Sequence, residues 1–275
     1  MSGDEFDYSY GQKKVWRRWC WNRVCEKVGP HRKDKTVLYL AGPDDSDRNE
    51  ALRRGFKNSN IIAIDLSSEN ILRVRQGGGL GVCEDLYNIL LVWPHDSPID
   101  VLIADFCQGL SDCAGQLIHA LFNCPAIHNK TILWVNMLRG RDPKSNEDRA
   151  KWSKTLSSQS LSKNPKHRGE LWFWIMYGEL IQRLSGQYGK EFVKRWHENN
   201  LNPMLNHSQP LFTSYRSMSN QFFDTIIYRN PIFLDASSGD RNQYKNYPEL
   251  CTAKHKVAAL RALRTMAGGR RHATI

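Results

Sequence analysis

Acidic side chains and one glycine follow apolar runs at four points in the first half of the chain. Gly42 follows the run TVLYLA, Asp65 ends the run NIIAID, and Glu84, Asp85 and Asp105 occupy similar positions further on. A glycine lets the backbone approach a ligand closely. A carboxylate at a strand end can accept hydrogen bonds from ribose hydroxyls, and a further acid can accept one from an adenine amino group. Together these residues could recognise a nucleoside.

The apolar runs predict short buried strands that alternate with helices. The predicted strands are Thr36–Ala41, Asn60–Asp65, Val82–Leu86, Ile99–Phe106 and Lys130–Leu138. Helices are predicted over Arg48–Gly55, Ser67–Gln76 and Cys113–Phe122, and a glycine-rich turn over Gly77–Gly81. Continuous apolar strands between helices indicate a parallel sheet covered on both faces. The carboxyl ends of such strands meet at the edge where doubly wound folds bind their ligands.

The second half of the chain predicts a long helix and a closing hairpin. The helix covers Glu170–Asn199, with a break near Gly186–Gly189, and the hairpin strands are Leu211–Arg216 and Phe222–Arg229. Three parts are therefore expected: a basic tail and helix over 1–35, a main domain over 36–234 and a basic extension over 235–275. Residues 1–12 are expected to be a flexible tail, 13–28 and 249–267 to be basic helices, and 139–169 to be a basic insertion.

Charge and composition limit the classes of partner. The formal net charge is +11, and 40% of the residues are hydrophobic, so the chain can bury a core and its basic segments can attract a polyanion such as nucleic acid. No run of about 18 uncharged apolar residues predicts a membrane span, and no apolar leader precedes the domain, so a cytoplasmic location without a membrane partner is expected. Seven cysteines without a CxxC pair predict free thiols and no metal site. The sequence leaves the oligomeric state open.

From Thr36 to Arg229 the chain resembles the class I S-adenosylmethionine-dependent methyltransferases. The resemblance implies an α/β fold: a doubly wound, mostly parallel seven-stranded sheet with an antiparallel C-terminal hairpin strand and helices on both faces. It also implies S-adenosylmethionine as cofactor, with the methionine half near Gly42, the ribose at Asp65 and the adenine at Glu84 or Asp85. The full set of cofactor-binding residues implied in this way is Ala41, Gly42, Pro43, Asp65, Leu66, Glu84, Asp85, Leu86 and Asp105.

The turn after the first predicted strand argues against a dinucleotide. It reads AGPDDSD and lacks the GxGxxG pattern of nicotinamide enzymes. Its aspartates would repel a pyrophosphate, whereas S-adenosylmethionine has no phosphate and carries a sulfonium and an amino group. The acidic turn therefore favours this methyl donor.

The methyl acceptor is less well defined than the donor. The [DNS]PP[YFW] segment of amino-methylating enzymes is absent after the fourth predicted strand. The run IADFCQGLSDCAG resembles the PCQGFS segment of cytosine-5 DNA methyltransferases, which implies Cys107 as a nucleophile beside Asp105. Phe106 replaces the proline of that segment, and the ENV segment is missing. Two functions stay open: a methyltransferase acting on nucleic acid, and a non-catalytic protein that binds nucleic acid or protein on the same scaffold.

Overall fold

The structure, a computed structural model, describes residues 4–6, 12–94, 97–106, 112–124, 126–139, 167–191, 195, 199, 205–216 and 221–230. The strands are β1 (Asp4–Phe6), β2 (Val37–Leu40), β3 (Ile61–Asp65), β4 (Leu80–Cys83), β5 (Val101–Asp105), β6 (Ile132–Leu138), β7 (Leu211–Arg216) and β8 (Phe222–Arg229). The helices are α1 (Gln12–Val28), α2 (Ser46–Arg53), α3 (Ser68–Gln76), α4 (Leu86–Val92), α5 (Asp112–Asn123) and α6 (Arg168–Tyr188).

All eight strands belong to one sheet with the order β1-β7-β8-β6-β5-β2-β3-β4. The strand β2 pairs in parallel with β3 and with β5, β3 pairs in parallel with β4, and the hairpin strands β7 and β8 are antiparallel. Without β1, and numbered along the chain, this order is 3-2-1-4-5-7-6. The predicted doubly wound, mostly parallel α/β sheet with an antiparallel hairpin strand is confirmed.

The N-terminal segment adds one strand to the seven that were predicted. A flexible tail was expected over residues 1–12, but Asp4–Phe6 forms β1 and pairs in parallel with β7, with Asp4 opposite Thr213. The seven predicted strands are confirmed, and β1 adds an eighth strand at the edge of the sheet. Three residues carry too little hydrophobic pattern to predict a strand, because an edge strand is held by backbone hydrogen bonds to its neighbour.

The third strand of the main domain also begins earlier than predicted. The glycine-rich turn was expected to extend to Gly81, but β4 already begins at Leu80. A Cβ on Gly81 would lie 3.2 Å from the Ile71 side chain of α3, so the glycine allows the helix to pack closely on the strand. The correction matters because β4 then ends at Cys83, and Glu84 and Asp85 lie beyond it.

Two helices follow the predicted patterns closely. In α1, the stripe formed by Trp16, Cys20 and Val24 is fully buried. The helix α6 ends at Tyr188, and Gly189, with a φ of +83°, lies at the break that the sequence predicted. Every residue from Glu170 to Tyr177 in α6 is buried, as expected for a helix that is apolar on all sides.

The described residues form two compact units. Unit 1 takes its residues from the ranges 1–20, 104–118 and 133–232, and unit 2 takes its residues from 21–103 and 119–132. The predicted basic insertion beyond residue 139, the basic C-terminal helix and Cys107 lie outside the described residues, so the three-part division of the chain stays a prediction. No described helix combines the length and the apolar composition needed to cross a lipid bilayer.

Candidate functional site

The turn that follows β2 lies in unit 2 and begins the candidate cofactor site. The Ala41 amide donates to the Ile64 carbonyl at 2.9 Å, which holds the turn against β3. The Gly42 carbonyl accepts from the Asp45 amide at 3.3 Å, and Pro43 between them is exposed. Among the described residues, a Cβ on Gly42 would meet only the Asp44 carboxylate, at 3.6 Å. The described part of the chain therefore leaves room above Gly42.

The aspartates of this turn are engaged by the protein. Asp45 adopts a left-handed φ of +48°, accepts a short hydrogen bond from the Tyr39 hydroxyl and pairs with Arg48 at 3.1 Å. Asp47 is buried and accepts from the Trp21 indole N–H at 3.0 Å. Only Asp44 is exposed, and it accepts from the Ser46 hydroxyl at 2.5 Å. The negative charge available to a ligand is therefore smaller than the three acids of the sequence suggested.

Arg48 explains why Asp45 points back into unit 2. Its side chain is nearly buried and donates to Asp45, to the Asn58 side chain at 3.0 Å and to the Gly77 carbonyl at 2.7 Å. A buried guanidinium needs a counter-charge, and Asp45 supplies it. Burial, followed by the hydrogen bond to Asp45, raises the pKa of the Tyr39 hydroxyl, which therefore remains a donor.

Asp65 ends β3 and its carboxylate is half-buried. One oxygen accepts from the Ser67 amide at 2.7 Å, and the other accepts from the Asn70 side chain at 2.8 Å. Ser67 is itself the N-cap of α3 and accepts from the Asn70 amide at 3.3 Å. Asp65 thus helps to begin the helix, and the same two contacts fix the direction of its carboxylate.

Leu66 and Cys83 lie side by side at this edge of unit 2. Leu66 is 70% exposed, although it is a large apolar residue. The Cys83 thiol at the end of β4 is exposed and lies 3.4 Å from the Leu66 carbonyl, to which it donates. Cys83 was not predicted as a site residue because the predicted third strand began two residues too late and continued through it.

The acidic pair after β4 divides into two roles. Asp85 is the N-cap of α4 and accepts from the Tyr87 amide at 2.7 Å. Glu84 accepts from the Asp85 amide at 3.0 Å and from the Asn88 side chain at 3.2 Å. Leu86, which the family resemblance also implied, is buried in the core with 5% exposure. Of the two acids, Glu84 has the carboxylate that is less committed to helix capping.

Asp105 ends β5 and belongs to unit 1. It accepts from the Asn136 side-chain amide at 2.5 Å. Asn136 is fully buried, accepts from the Thr225 hydroxyl at 2.8 Å and lies 3.4 Å from the Tyr215 hydroxyl. Asn136 was not among the site residues predicted from the sequence, but a buried amide within an apolar strand signals a specific partner.

A buried carboxylate in β8 organises another part of unit 1. Asp224 is fully buried and pairs with Arg139 at 2.6 Å. It also accepts from the Ser214 hydroxyl at 2.7 Å and from the Arg168 amide at 2.8 Å. Asp224 was not among the residues predicted from the sequence, although an acid inside the apolar run FFDTIIYR is a signal of ion pairing.

Comparisons with known proteins find solved structures of low sequence identity and low structural similarity. No protein-family model and no curated protein matches the chain. Among solved structures, a protein described as a sarcosine dimethylglycine methyltransferase from Galdieria sulphuraria is 12% identical, with 79% of this chain and 86% of that chain covered and a TM-score of 0.41. The cyclopropane synthase MmaA2 from Mycobacterium tuberculosis is 7% identical, with 81% and 86% covered and a TM-score of 0.44.

A third similar structure belongs to another class of enzyme. A protein described as a zinc-dependent alcohol dehydrogenase from Rhodobacter sphaeroides is 10% identical, with 78% of this chain and 98% of that chain covered and a TM-score of 0.32. Likenesses of this extent carry no argument about activity. The strand order and the antiparallel hairpin agree with the architecture that the resemblance to the class I methyltransferases implied.

Proposed function

We propose that the chain binds S-adenosylmethionine at the carboxyl ends of β2, β3 and β4 and transfers its methyl group to a nucleic acid. The observation that supports the cofactor is the position of Asp65, which ends the second strand of the main domain with a half-buried, oriented carboxylate. In doubly wound folds this position holds the acid that accepts from ribose hydroxyls.

The hydrogen bonds of Asp65 leave capacity for a ribose. An ionised carboxylate has about four lone-pair positions. The Ser67 amide and the Asn70 side chain use one on each oxygen. About two positions are left, which equals the number of ribose hydroxyls. Because the protein already holds the carboxylate in place, little conformational freedom is lost when a ligand binds.

The neighbours of Asp65 suit the remaining parts of an adenosine. Leu66 presents an exposed apolar side chain that an adenine ring could cover, which would remove apolar surface from water. Glu84 can accept from the adenine amino group. At the methionine half, Gly42 leaves room for a close approach, and the exposed Asp44 can attract the amino group or the sulfonium.

Asp105 is the proposed contact to the methyl acceptor. When bound, S-adenosylmethionine supplies an electrophilic methyl group. Asp105, held by Asn136, can accept a hydrogen bond from the nucleophilic group of the acceptor and orient it. Cys107 is a second candidate by its sequence resemblance and lies outside the described residues. The proposal of a nucleic-acid acceptor is supported by the net charge of +11.

Calorimetric titration with S-adenosylmethionine tests the cofactor. Asp65→Ala should weaken binding by about 1–3 kcal/mol, the size of a lost charge-assisted hydrogen bond. Glu69→Ala is a matched control, because Glu69 is an exposed acid of α3 that pairs with Arg73. Ser67→Ala removes a helix cap and separates a capping effect from a ribose contact. Unchanged affinity of Asp65→Ala would contradict the assigned role.

The titration also discriminates between the two classes of function. Absence of binding to the wild-type protein would overturn the enzyme proposal and favour the non-catalytic binding protein. This alternative is supported by the contacts of Asp45 and Asp47, which bind other residues of the protein and do not face a ligand. With binding established, transfer of a labelled methyl group to DNA, RNA and protein pools identifies the acceptor. Labelling of protein alone would overturn the nucleic-acid acceptor.

A further inference from the structure

Two arginines of unit 1 converge on one phenylalanine ring. The guanidinium carbon of Arg139 lies 5.1 Å from the centroid of the Phe222 ring, and that of Arg216 lies 5.4 Å from it. Arg139 directly follows β6, Arg216 ends β7 and Phe222 begins β8. The Arg139 amide also donates to the Phe222 carbonyl at 2.7 Å, so backbone and side chains both tie the group together.

Arg139 is held by a buried counter-charge. Its Nε and Nη2 atoms donate to the carboxylate of Asp224, and Nη2 also donates to the Ser214 hydroxyl at 3.1 Å. The Arg139 side chain is nevertheless 33% exposed. A guanidinium with this many fixed contacts presents its remaining surface in one orientation, which suits recognition of an anion.

Arg216 supplies a positive charge that no acid among the described residues pairs with. Its side chain is half-buried. The Phe222 ring provides a favourable cation–π contact that orients it. An oriented guanidinium without a counter-ion is a binding position for a carboxylate or a phosphate.

The group is connected to Asp105 through the hairpin. Phe223, the neighbour of Phe222, stacks on Tyr215 with the ring centroids 5.0 Å apart and the planes 8° apart. The Tyr215 hydroxyl lies 3.4 Å from the Asn136 amide, which donates to Asp105. Because adjacent residues of a strand point to opposite faces, Phe223 and Tyr215 lie on the other face of the hairpin from Phe222 and Arg216. The arginines therefore share with Asp105 the carboxyl edge of unit 1, but they lie on the opposite face of the hairpin from the Asn136 contact.

We propose that Arg139, Phe222 and Arg216 form a platform for the phosphodiester backbone of a nucleic-acid strand. Guanidinium groups bind phosphates in a bidentate manner, and their planes also stack on bases, so the platform fits both parts of a single strand. The net charge of +11 favours a polyanion over a small acid. This inference rests on the proposed function for the identity of the acceptor, but it concerns binding and not methyl transfer.

Fluorescence anisotropy with an end-labelled single strand of about 20 nucleotides tests the platform in the full-length protein, without S-adenosylmethionine. Arg216→Gln should weaken binding about tenfold and reduce the salt slope of the binding constant by about 0.7, because one phosphate contact is lost. Phe222→Leu keeps the charge, so it should weaken binding about two- to fivefold with an unchanged slope.

A matched control uses another arginine of unit 1. Arg183→Gln removes a positive charge from α6, where Arg183 pairs with Glu179, and should leave the affinity for the strand unchanged. Thermal unfolding of each variant confirms that the fold is retained. Equal effects of Arg216→Gln and Arg183→Gln would show a diffuse charge effect and overturn the platform.

The identity of the partner is tested by competition. Polyglutamate is added as a competitor at the same concentration of charges as the nucleic-acid strand. If it displaces the strand from the wild-type protein, and if Phe222→Leu changes the affinity for neither the strand nor the peptide, the partner is an acidic protein surface and the proposal is overturned. If the variants show no platform, the calorimetric result with S-adenosylmethionine still stands. If S-adenosylmethionine does not bind, the anisotropy values for the nucleic-acid strand still stand. The two proposals can therefore fail separately.

Discussion

The side-chain amide of Asn136 donates to the carboxylate of Asp105 at 2.5 Å and joins the end of β5 to β6. The other end of the same amide accepts from the Thr225 hydroxyl in β8 at 2.8 Å. An amide does not ionise, so Asn136 can donate to the Asp105 carboxylate at every pH. The buried amide therefore links a candidate catalytic carboxylate to the closing hairpin of the sheet.

Replacement of Asn136 by leucine should lower the free energy of unfolding by about 1–3 kcal/mol, because the Thr225 hydroxyl loses its buried acceptor and Asp105 loses a donor. Denaturant unfolding measures the change. Asn123→Ala is the control, since the Asn123 amide donates to the His119 carbonyl at an exposed position. An Asn136→Leu variant as stable as the wild type would contradict the importance of this contact.

Asp224 should make stability dependent on acid. Burial alone would raise the pKa of Asp224. The opposite effect of its contacts is larger, so the pKa lies below its ordinary value of 3.8; these contacts are the Arg139 guanidinium, His167, the Arg168 amide and the Ser214 hydroxyl. A lowered pKa in the folded state means that Asp224 contributes stability above that ordinary value. This contribution is lost as the pH falls towards the lower folded pKa.

Asp224→Asn should lower the free energy of unfolding near neutral pH by about 3 kcal/mol, because the partly buried Arg139 loses its counter-charge. The same variant should lose less stability than the wild type when the pH falls below 3.8. Denaturant unfolding over a pH series measures both effects. Asp34→Asn is the control, because Asp34 is an exposed acid. Parallel pH curves for wild type and Asp224→Asn would refute the assignment.

Two glycines of unit 2 should respond differently to alanine. A Cβ on Gly79 would lie 2.8 Å from Arg48 and from Val74, so Gly79→Ala should destabilise the fold by about 1–3 kcal/mol through overpacking. Of the described residues, a Cβ on Gly42 meets only Asp44, at 3.6 Å, so Gly42→Ala should leave the melting temperature unchanged while it weakens binding of S-adenosylmethionine. Unchanged affinity of Gly42→Ala would place the ligand elsewhere.

Cys83 should be protected from alkylation by the methyl donor. Its thiol is exposed beside the carbonyl of Leu66, whereas Cys124 is buried and its burial raises the pKa of the thiol to about 12. Iodoacetamide should therefore modify Cys83 rapidly and Cys124 slowly. Peptide mass spectrometry measures both rates, and S-adenosylhomocysteine should slow the first one only. No protection at a saturating ligand concentration would remove Cys83 from the edge of the site.

The alternation of strands and helices and the position of Asp65 follow from the sequence alone. Apolar runs that alternate with helices predict a parallel sheet, and the acid that ends such a run must lie at its carboxyl edge, because strand direction determines which residue is last. The hairpin bounds Leu211–Arg216 and Phe222–Arg229 were also predicted correctly. These features depend on the local pattern of apolar residues, which can be read from each segment of the sequence by itself.

The roles of the individual acids were decided by tertiary structure. The sequence shows three aspartates after β2, but Arg48 and Trp21 turn Asp45 and Asp47 inwards. Trp21 is distant from Asp47 in the chain, and Arg48, although only three residues after Asp45, is held in place by Asn58 and the Gly77 carbonyl. The pairs Asn136–Asp105 and Arg139–Asp224 likewise join residues far apart in the chain. A hydrogen bond or ion pair depends on distances of about 3 Å between side chains. Such distances are fixed by the packing of whole elements, which no single segment of sequence contains.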